Sequence, residues 1–141
     1  MSIKAAITLP APISTNNLFS NAPGRGRVVT KEYAAWRKQA AQMIAAHAPV
    51  PRFTAPVLIA LFVGEKGVGN MDSDNTAKAY LDALKKAGVI HDDSRKWVRG
   101  SSVAWVPGMA GCVAHIEEAG APPSANEIIA TASKGLRDFL R

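Results

Sequence analysis

The chain has 141 residues, 48% of them apolar, enough to bury one core without disulfides as a substitute. A single cysteine, Cys112, excludes an intrachain disulfide and points to a reducing, cytoplasmic setting. No stretch approaches the ~18 consecutive apolar residues of a membrane helix. Seventeen Lys and Arg against eleven Asp and Glu leave +6 at neutral pH, a balance that suits a polyanionic partner.

The opening, MSIKAAITLPAPIS, imitates an export signal only superficially, because its apolar run is short, alternates and is broken by Pro10 and Pro12. Residues 3–9 read as a first strand. The Pro-, Asn-, Ser- and Gly-rich stretch 10–29 reads as a long loop, and long loops in small domains often carry function. Thr30 offers an N-cap for a helix to about Ala48, with Tyr33, Trp36, Ala40, Met43, Ile44 and His47 along one face. Pro49 and Pro51 stop that helix. Residues 53–63 then form the most apolar stretch, read as a strand with Pro56 near its start or edge.

After a glycine-spaced loop, Gly64 to Met71, comes DSDNTAKAYLDALKKAGVIHDD. Here Asp74 or Asn75 can cap a helix whose apolar stripe is Ala77, Tyr80, Leu81 and Leu84. Lys85 and Lys86 meet the negative end of its dipole, and Gly88 stands where a left-handed C-cap belongs. Strands at about 96–106 and 111–117 follow, joined by a Pro107-Gly108 turn. The composition shifts to Ala, Gly and Pro over 118–124, and a last amphipathic helix, about 125–140, carries Ile128, Ile129, Leu136 and Phe139. These elements predict an α/β (α+β two-layer) fold: a small mixed sheet with helices packed on one face. Residues 1–119 would form the domain, and 120–141 a helical extension packed on it or on a partner.

The chemistry concentrates in Asp72-x-Asp74-Asn75-x-x-Lys78, followed nineteen residues after Asp74 by Asp93. If 72–74 is extended, both aspartates point to one side, and Lys78 lies one helical turn beyond Asp74. Magnesium takes oxygen ligands and keeps several waters, so two or three carboxylates plus phosphate oxygens suit it. A nearby lysine can neutralise charge growing on a phosphate in flight. On spacing alone, a capped helix flanked by solvated acids is the simpler account. Asp92 and Asp93 can be turn residues, and Asp82, mid-helix, reads as a surface or structural acid.

The segment MDSDNTAKAYLDALKKAGVIHDDSRKWV resembles the core motif of the RusA-type Holliday junction resolvases: D-x-D-N-x-x-K, a D-A-L-x-K-A-G helix end, a hydrophobic pair and D-D. The opening ITLPAPISTNNLFSNAPGRGRV is similar to that family's strand, proline-rich bend, asparagines and basic stretch. The likeness covers roughly residues 3 to 118. It implies a magnesium-dependent endodeoxyribonuclease, with one or two ions per site, that resolves four-way junctions as a homodimer in recombination and repair. The family's metal-binding carboxylates fall on Asp72, Asp74 and Asp93, and its essential lysine on Lys78, with Asn75 in support. Where the family is arginine-rich before the first aspartate, this chain reads Gly67-Val68-Gly69-Asn70-Met71, with only Lys66 nearby. DNA contact is therefore assigned to Asn16, Asn17, Arg25, Arg27, Lys66, Asn75, Arg95, Lys96 and Arg99, ordinary surface charge being the competing account for the basic ones.

Three scattered histidines lack zinc-ligand spacing. His91 reads as a bystander, and His47 and His115 as structural. Trp36, Trp97 and Trp105 suit packing better than stacking on opened bases. Two rival functions stay open: a module that grips branched DNA without cutting it, and a nuclease for flaps, forks or RNA.

Overall fold

The computed structural model describes residues 4–140. Alternation of apolar residues builds a four-stranded sheet from β1 (Lys4–Leu9), β4 (Val57–Gly64), β5 (Val98–Val106) and β6 (Cys112–Glu118), in the order β1-β6-β4-β5. Only β4 and β5 run parallel, so the sheet is mixed, as predicted. A parallel neighbour requires a crossover. Helix α2 (Ala77–Lys86) supplies it, leaving the carboxyl end of β4 and returning to the start of β5. The longer α1 (Lys31–Ala45) packs beside α2.

Both helices bury one stripe against one sheet face. Tyr33, Trp36, Ala40 and Ile44 of α1 meet Ala79, Tyr80, Ala83 and Leu84 of α2 over Ile7, Leu9, Ile59, Leu61, Ala114 and Ile116. Of the residues expected on the α1 face, Met43 and His47 are only half-buried. The His47 ring accepts the Thr8 backbone N–H at 3.2 Å, which places it in a structural role. Two buried aromatics also fix the proline-rich bend after β1. Trp36 donates its indole N–H to the Ala11 carbonyl and Tyr80 its hydroxyl to the Pro10 carbonyl, both at 2.7 Å. Their rings meet edge-on, 5.4 Å apart, so Trp36 is a packing residue.

Several boundaries differ from the sequence expectation. The stretch 10–29 is not one loop. It holds a 3-10 turn, Thr15–Asn17, and a hairpin of β2 (Phe19–Ala22) and β3 (Gly26–Val29), turning on Gly24 at φ 74°. Turn residues dominate its composition and hide two strands of four residues each. Thr30 does cap α1, accepting the Tyr33 N–H at 3.1 Å, but the helix stops at Ala45 rather than Ala48. The third apolar stretch pairs only from Val57, because Pro56 cannot donate to a ladder. β5 starts at Val98 rather than 96, while Pro107-Gly108 turns the chain into β6 as expected. Ile3 of the predicted first strand and Arg141 lie outside the described residues.

The last helix, α3 (Ala125–Leu140), is present over the expected range, and none of its residues is buried. It carries its own start signal. Ser124 and Glu127 exchange side-chain-to-backbone hydrogen bonds of 3.1 and 3.3 Å, a capping box.

Candidate active site

The acidic motif sits where β4 ends, the end at which open α/β sheets usually bind ligands. Gly64 closes that strand, and the Pro107-Gly108 connection crosses directly over it. A Cβ at Gly64 would run into the Met109 carbonyl, so only glycine fits. Lys66 N–H donates to the same carbonyl at 3.0 Å. Ser73–Asn75 then form a 3-10 turn before α2 begins, with Thr76 rather than Asp74 or Asn75 at the helix cap position. Neither start uses a side-chain cap. Instead the Asp72 carbonyl accepts from Asn75 N–H at 3.1 Å and from the buried Thr76 hydroxyl at 2.9 Å. The Asp72 backbone anchors the turn while its carboxylate is left over.

Two further hydrogen bonds pin the turn from distant parts of the chain. Thr15 donates its hydroxyl to the Asn75 carbonyl at 2.9 Å, and Trp105 donates its indole N–H to the Ser73 hydroxyl at 2.8 Å. Ser73 lies between the two aspartates, so Trp105 holds the segment on which both are mounted. The same indole walls an open cleft of about 370 Å³ with Glu65, Val68, Gly69, Asn70 and Met71, next to Asp72. Sequence inspection misses Thr15, Thr76 and Trp105. Only Thr76, as a capping residue type just before the apolar stripe, could have hinted at a helix start; the other two act across 60 and 32 positions.

Asp72, Asp74 and Lys78 are exposed, and no ion pair among the described residues involves any of them. The other aspartates of the region are all paired. Asp82 accepts the Tyr33 hydroxyl at 3.0 Å and faces Arg37 at 3.5 Å and Lys86 at 3.6 Å, so it is a structural acid between α1 and α2. Burial and that carboxylate raise the Tyr33 pKa, against the pull of Arg37. Lys85 lies 3.0 Å from Asp92 and 3.7 Å from Asp93. That ammonium, with help from Ser94, holds Asp92 well below the usual carboxylate range, and Asp92 raises Lys85 in return.

Asp93 is therefore at the opposite end of α2 from Asp72 and Asp74, a ten-residue helix of about 15 Å. Among the described residues, no three acidic, histidine or cysteine side chains gather as a metal cage. The pair Asp72 and Asp74 offers hard oxygen donors, neither committed to a cation of the chain. That suits magnesium, which commonly takes one or two carboxylates and leaves the rest to water and phosphate.

The candidate DNA contacts fall into groups. Asn16 and Asn17 occupy the turn tied to Asn75, and Lys66 stands at the mouth of β4. Arg25 is exposed in the hairpin turn, and the Arg27 guanidinium lies 4.4 Å above the Phe19 ring. Arg95, Lys96 and Arg99 sit beyond the far end of α2, with Asp93. His91 packs on Trp97 at 4.1 Å, and half-buried Trp97 is as much a packing residue as a platform. Cys112 is buried, which pushes its thiol up to about 12 and excludes it as a nucleophile at neutral pH.

No helix among the described residues is long and apolar enough to cross a membrane. A comparison with curated proteins gives no match. Against protein-family models, residues 10–109 match endodeoxyribonuclease RusA, a span running from the aromatic-pinned bend through the acidic turn and α2 to the end of β5. Covering well over half of the sequence, that match makes the chain a member of the RusA endodeoxyribonuclease family.

Proposed function

We propose that the protein is a magnesium-dependent endonuclease that resolves four-way DNA junctions by paired, symmetric nicks in recombination and repair. The observation that carries this reading is that Asp72 and Asp74 beside one pinned turn, and Lys78 just inside α2, have no ion-pair partner among the described residues, in a region whose other aspartates each face a lysine or arginine. Both carboxylates are exposed, so water solvates them until a hard cation arrives to share their oxygens.

Asp72 and Asp74 would hold the cation, with Asp93 the third carboxylate assigned by the family pattern. The ion supplies Lewis acidity for an attacking water and for the leaving oxygen. Lys78, in the first turn of α2, donates to the non-bridging oxygens as negative charge accumulates there. Thr76, Thr15 and Trp105 hold the turn so that the carboxylates need not reorganise when DNA arrives. Asn16, Asn17, Asn75 and Lys66 would meet the backbone around the cut, with Arg25, Arg27, Arg95, Lys96 and Arg99 guiding the arms by charge. Two nicks in strands of like polarity call for two matched sites, which a two-fold homodimer supplies. The cytoplasm is the fitting compartment, where a lone thiol stays reduced.

The test uses a labelled synthetic four-way junction with and without magnesium, next to matched three-way, flap and linear duplexes and RNA. Symmetric nicks on the four-way junction, abolished by chelation and by Asp74→Asn, are expected. Equal nicking by Asp74→Asn would sink the site assignment. Junction binding without magnesium-dependent nicking would establish the non-cleaving alternative. That alternative draws on the Lys85 pairing, which gives Asp93 a partner within the chain. Preference for flaps, forks or RNA would redirect the substrate and leave the chemistry standing.

A further inference from the structure

The sheet has helices on one face only. A sheet face left to solvent normally carries polar side chains, yet the inner strand β4 turns only apolar ones outward here. Register puts three rows of side chains on its open face: Lys4, Glu117, Leu58 and Gly100; Ala6, His115, Ala60 and Ser102; and Thr8, Val113, Phe62 and Ala104. Along the central strand β4 the outward residues are Leu58, Ala60 and Phe62, with Leu58 39% and Phe62 41% exposed. Beside Leu58, the small residues Ala60, Gly100, Ser101 and Ser102, with His115 and Glu117 at its polar edge, line an open trough of about 300 Å³ along β4 and β5. Leu58 already leans over Gly100, where an added Cβ would come within 3.1 Å of it.

The chain carries a second uncovered apolar surface. Ile128, Ile129, Leu136, Phe139 and Leu140 recur at helical spacing on α3, and Phe139 is 85% exposed. Ala125 and Ala132 continue that stripe, while Glu127, Lys134 and Arg137 lie on the opposite side, free to face water when the stripe is covered. The dimensions agree. A sixteen-residue helix is about 24 Å long, and the eight residues of β4 span about 26 Å.

We infer that α3 of each copy lies in the open-face trough of a second copy, joining two chains by reciprocal exchange of this helix. The tether favours a neighbouring copy over the chain's own sheet. Ala119 is still fixed to the sheet end, its N–H donating to the Pro56 carbonyl at 2.8 Å. Pro122 and Pro123 then hold Ala121 and Pro122 extended, so the chain leaves the sheet end stiffly instead of doubling back. In the single chain every described α3 residue remains exposed. A helix footprint roughly 10 Å wide, counted on both surfaces and twice by symmetry, buries on the order of 1,000 Å², the lower range of specific interfaces. This deepens the homodimer of the proposed function by naming its contact, and α3 lies outside the span 10–109 that carries the family match.

The test reads mass, not cleavage, so failure of the nuclease reading leaves it intact. Full-length protein is measured by light scattering across a dilution series, with Phe139→Glu on the helix and Phe62→Lys on the outward side of β4, next to the trough. Both residues are exposed in the single chain, and circular dichroism verifies that each variant folds. The wild type is expected at twice the chain mass. Either variant should raise the dimer dissociation constant at least tenfold, and the Phe62→Lys/Phe139→Glu pair should recover part of the loss. Mixing Phe62→Cys with Phe139→Cys copies under mild oxidation should give a disulfide-linked species of two chains. Monomeric wild type, a dimer indifferent to Phe139→Glu, or a Phe62→Cys/Phe139→Cys chain that closes its disulfide internally would each overturn the inference.

Discussion

The two ends of α2 carry the same residue types in opposite states. At its start Asp72, Asp74 and Lys78 are exposed and have no ion-pair partner among the described residues. At its finish Asp92 and Asp93 share Lys85 at 3.0 and 3.7 Å. Charge that serves the fold has found its partner inside the chain, and charge that has not found one is available for a ligand. Identical composition can therefore mean support at one end of a helix and chemistry at the other.

The largest expected effect is at the start of the helix. Asp74→Asn should lower junction nicking on the order of 10³-fold, while its melting temperature stays within a degree or two of wild type, because its carboxylate supports no described ion pair. Lys78→Ala follows, with roughly a 10²-fold loss in single-turnover rate and little change in junction affinity. Asp93→Asn is the variant able to break the comparison. The family pattern predicts a loss of about 10²-fold, with Asp92→Asn near wild type; if both keep full nicking, Asp93 is only a partner for Lys85.

Stability effects are smaller. Asp82→Asn leaves Tyr33, Arg37 and Lys86 without their shared acceptor and should cost about 1–2 kcal/mol in urea unfolding. Smallest is the acid response of Asp92. Its folded pKa is depressed by Lys85, so the pair stabilises above the unfolded aspartate value of about 3.9 and loses that contribution as pH falls through the lower, folded value. The difference in melting temperature between wild type and Asp92→Asn should shrink from pH 6 towards pH 2, and shrink also with salt, since the pair is solvent-accessible.

What the sequence disclosed follows from the range of each interaction. The Thr30 cap, the buried stripe of α1, the Gly88 cap and the Pro107-Gly108 turn are local patterns. Gly88 adopts φ 76°, and Val89 N–H reaches back to the Leu84 carbonyl at 3.0 Å. The mixed sheet with helices on one face followed from apolar runs and connection lengths. The hairpin at 19–29 stayed hidden because Pro, Gly and Asn are as many as its apolar residues and break their alternation. The α2 start was misjudged because Ser73–Asn75 form a tighter turn first. In the site, Asp72, Asp74 and Lys78 could be named from the family motif their segment resembles, yet their lack of an ion-pair partner among the described residues could not. Nor could the grip of Thr15 and Trp105, since no local pattern announces a partner 60 or 32 residues away.

The pairing of β1 with β6 has a consequence in time. Lys4 faces Glu117 across the sheet, so the first strand stays unpaired until almost the whole domain has been synthesised. The bend that follows β1 contacts Tyr80 and Trp36, and Thr15 reaches the acidic turn from the same segment. Contacts so distant in sequence form slowly. A nascent chain lacking β6 would thus leave β1, and with it the start of the bend that carries Thr15, without a strand to hold it, until the last strand closes the sheet.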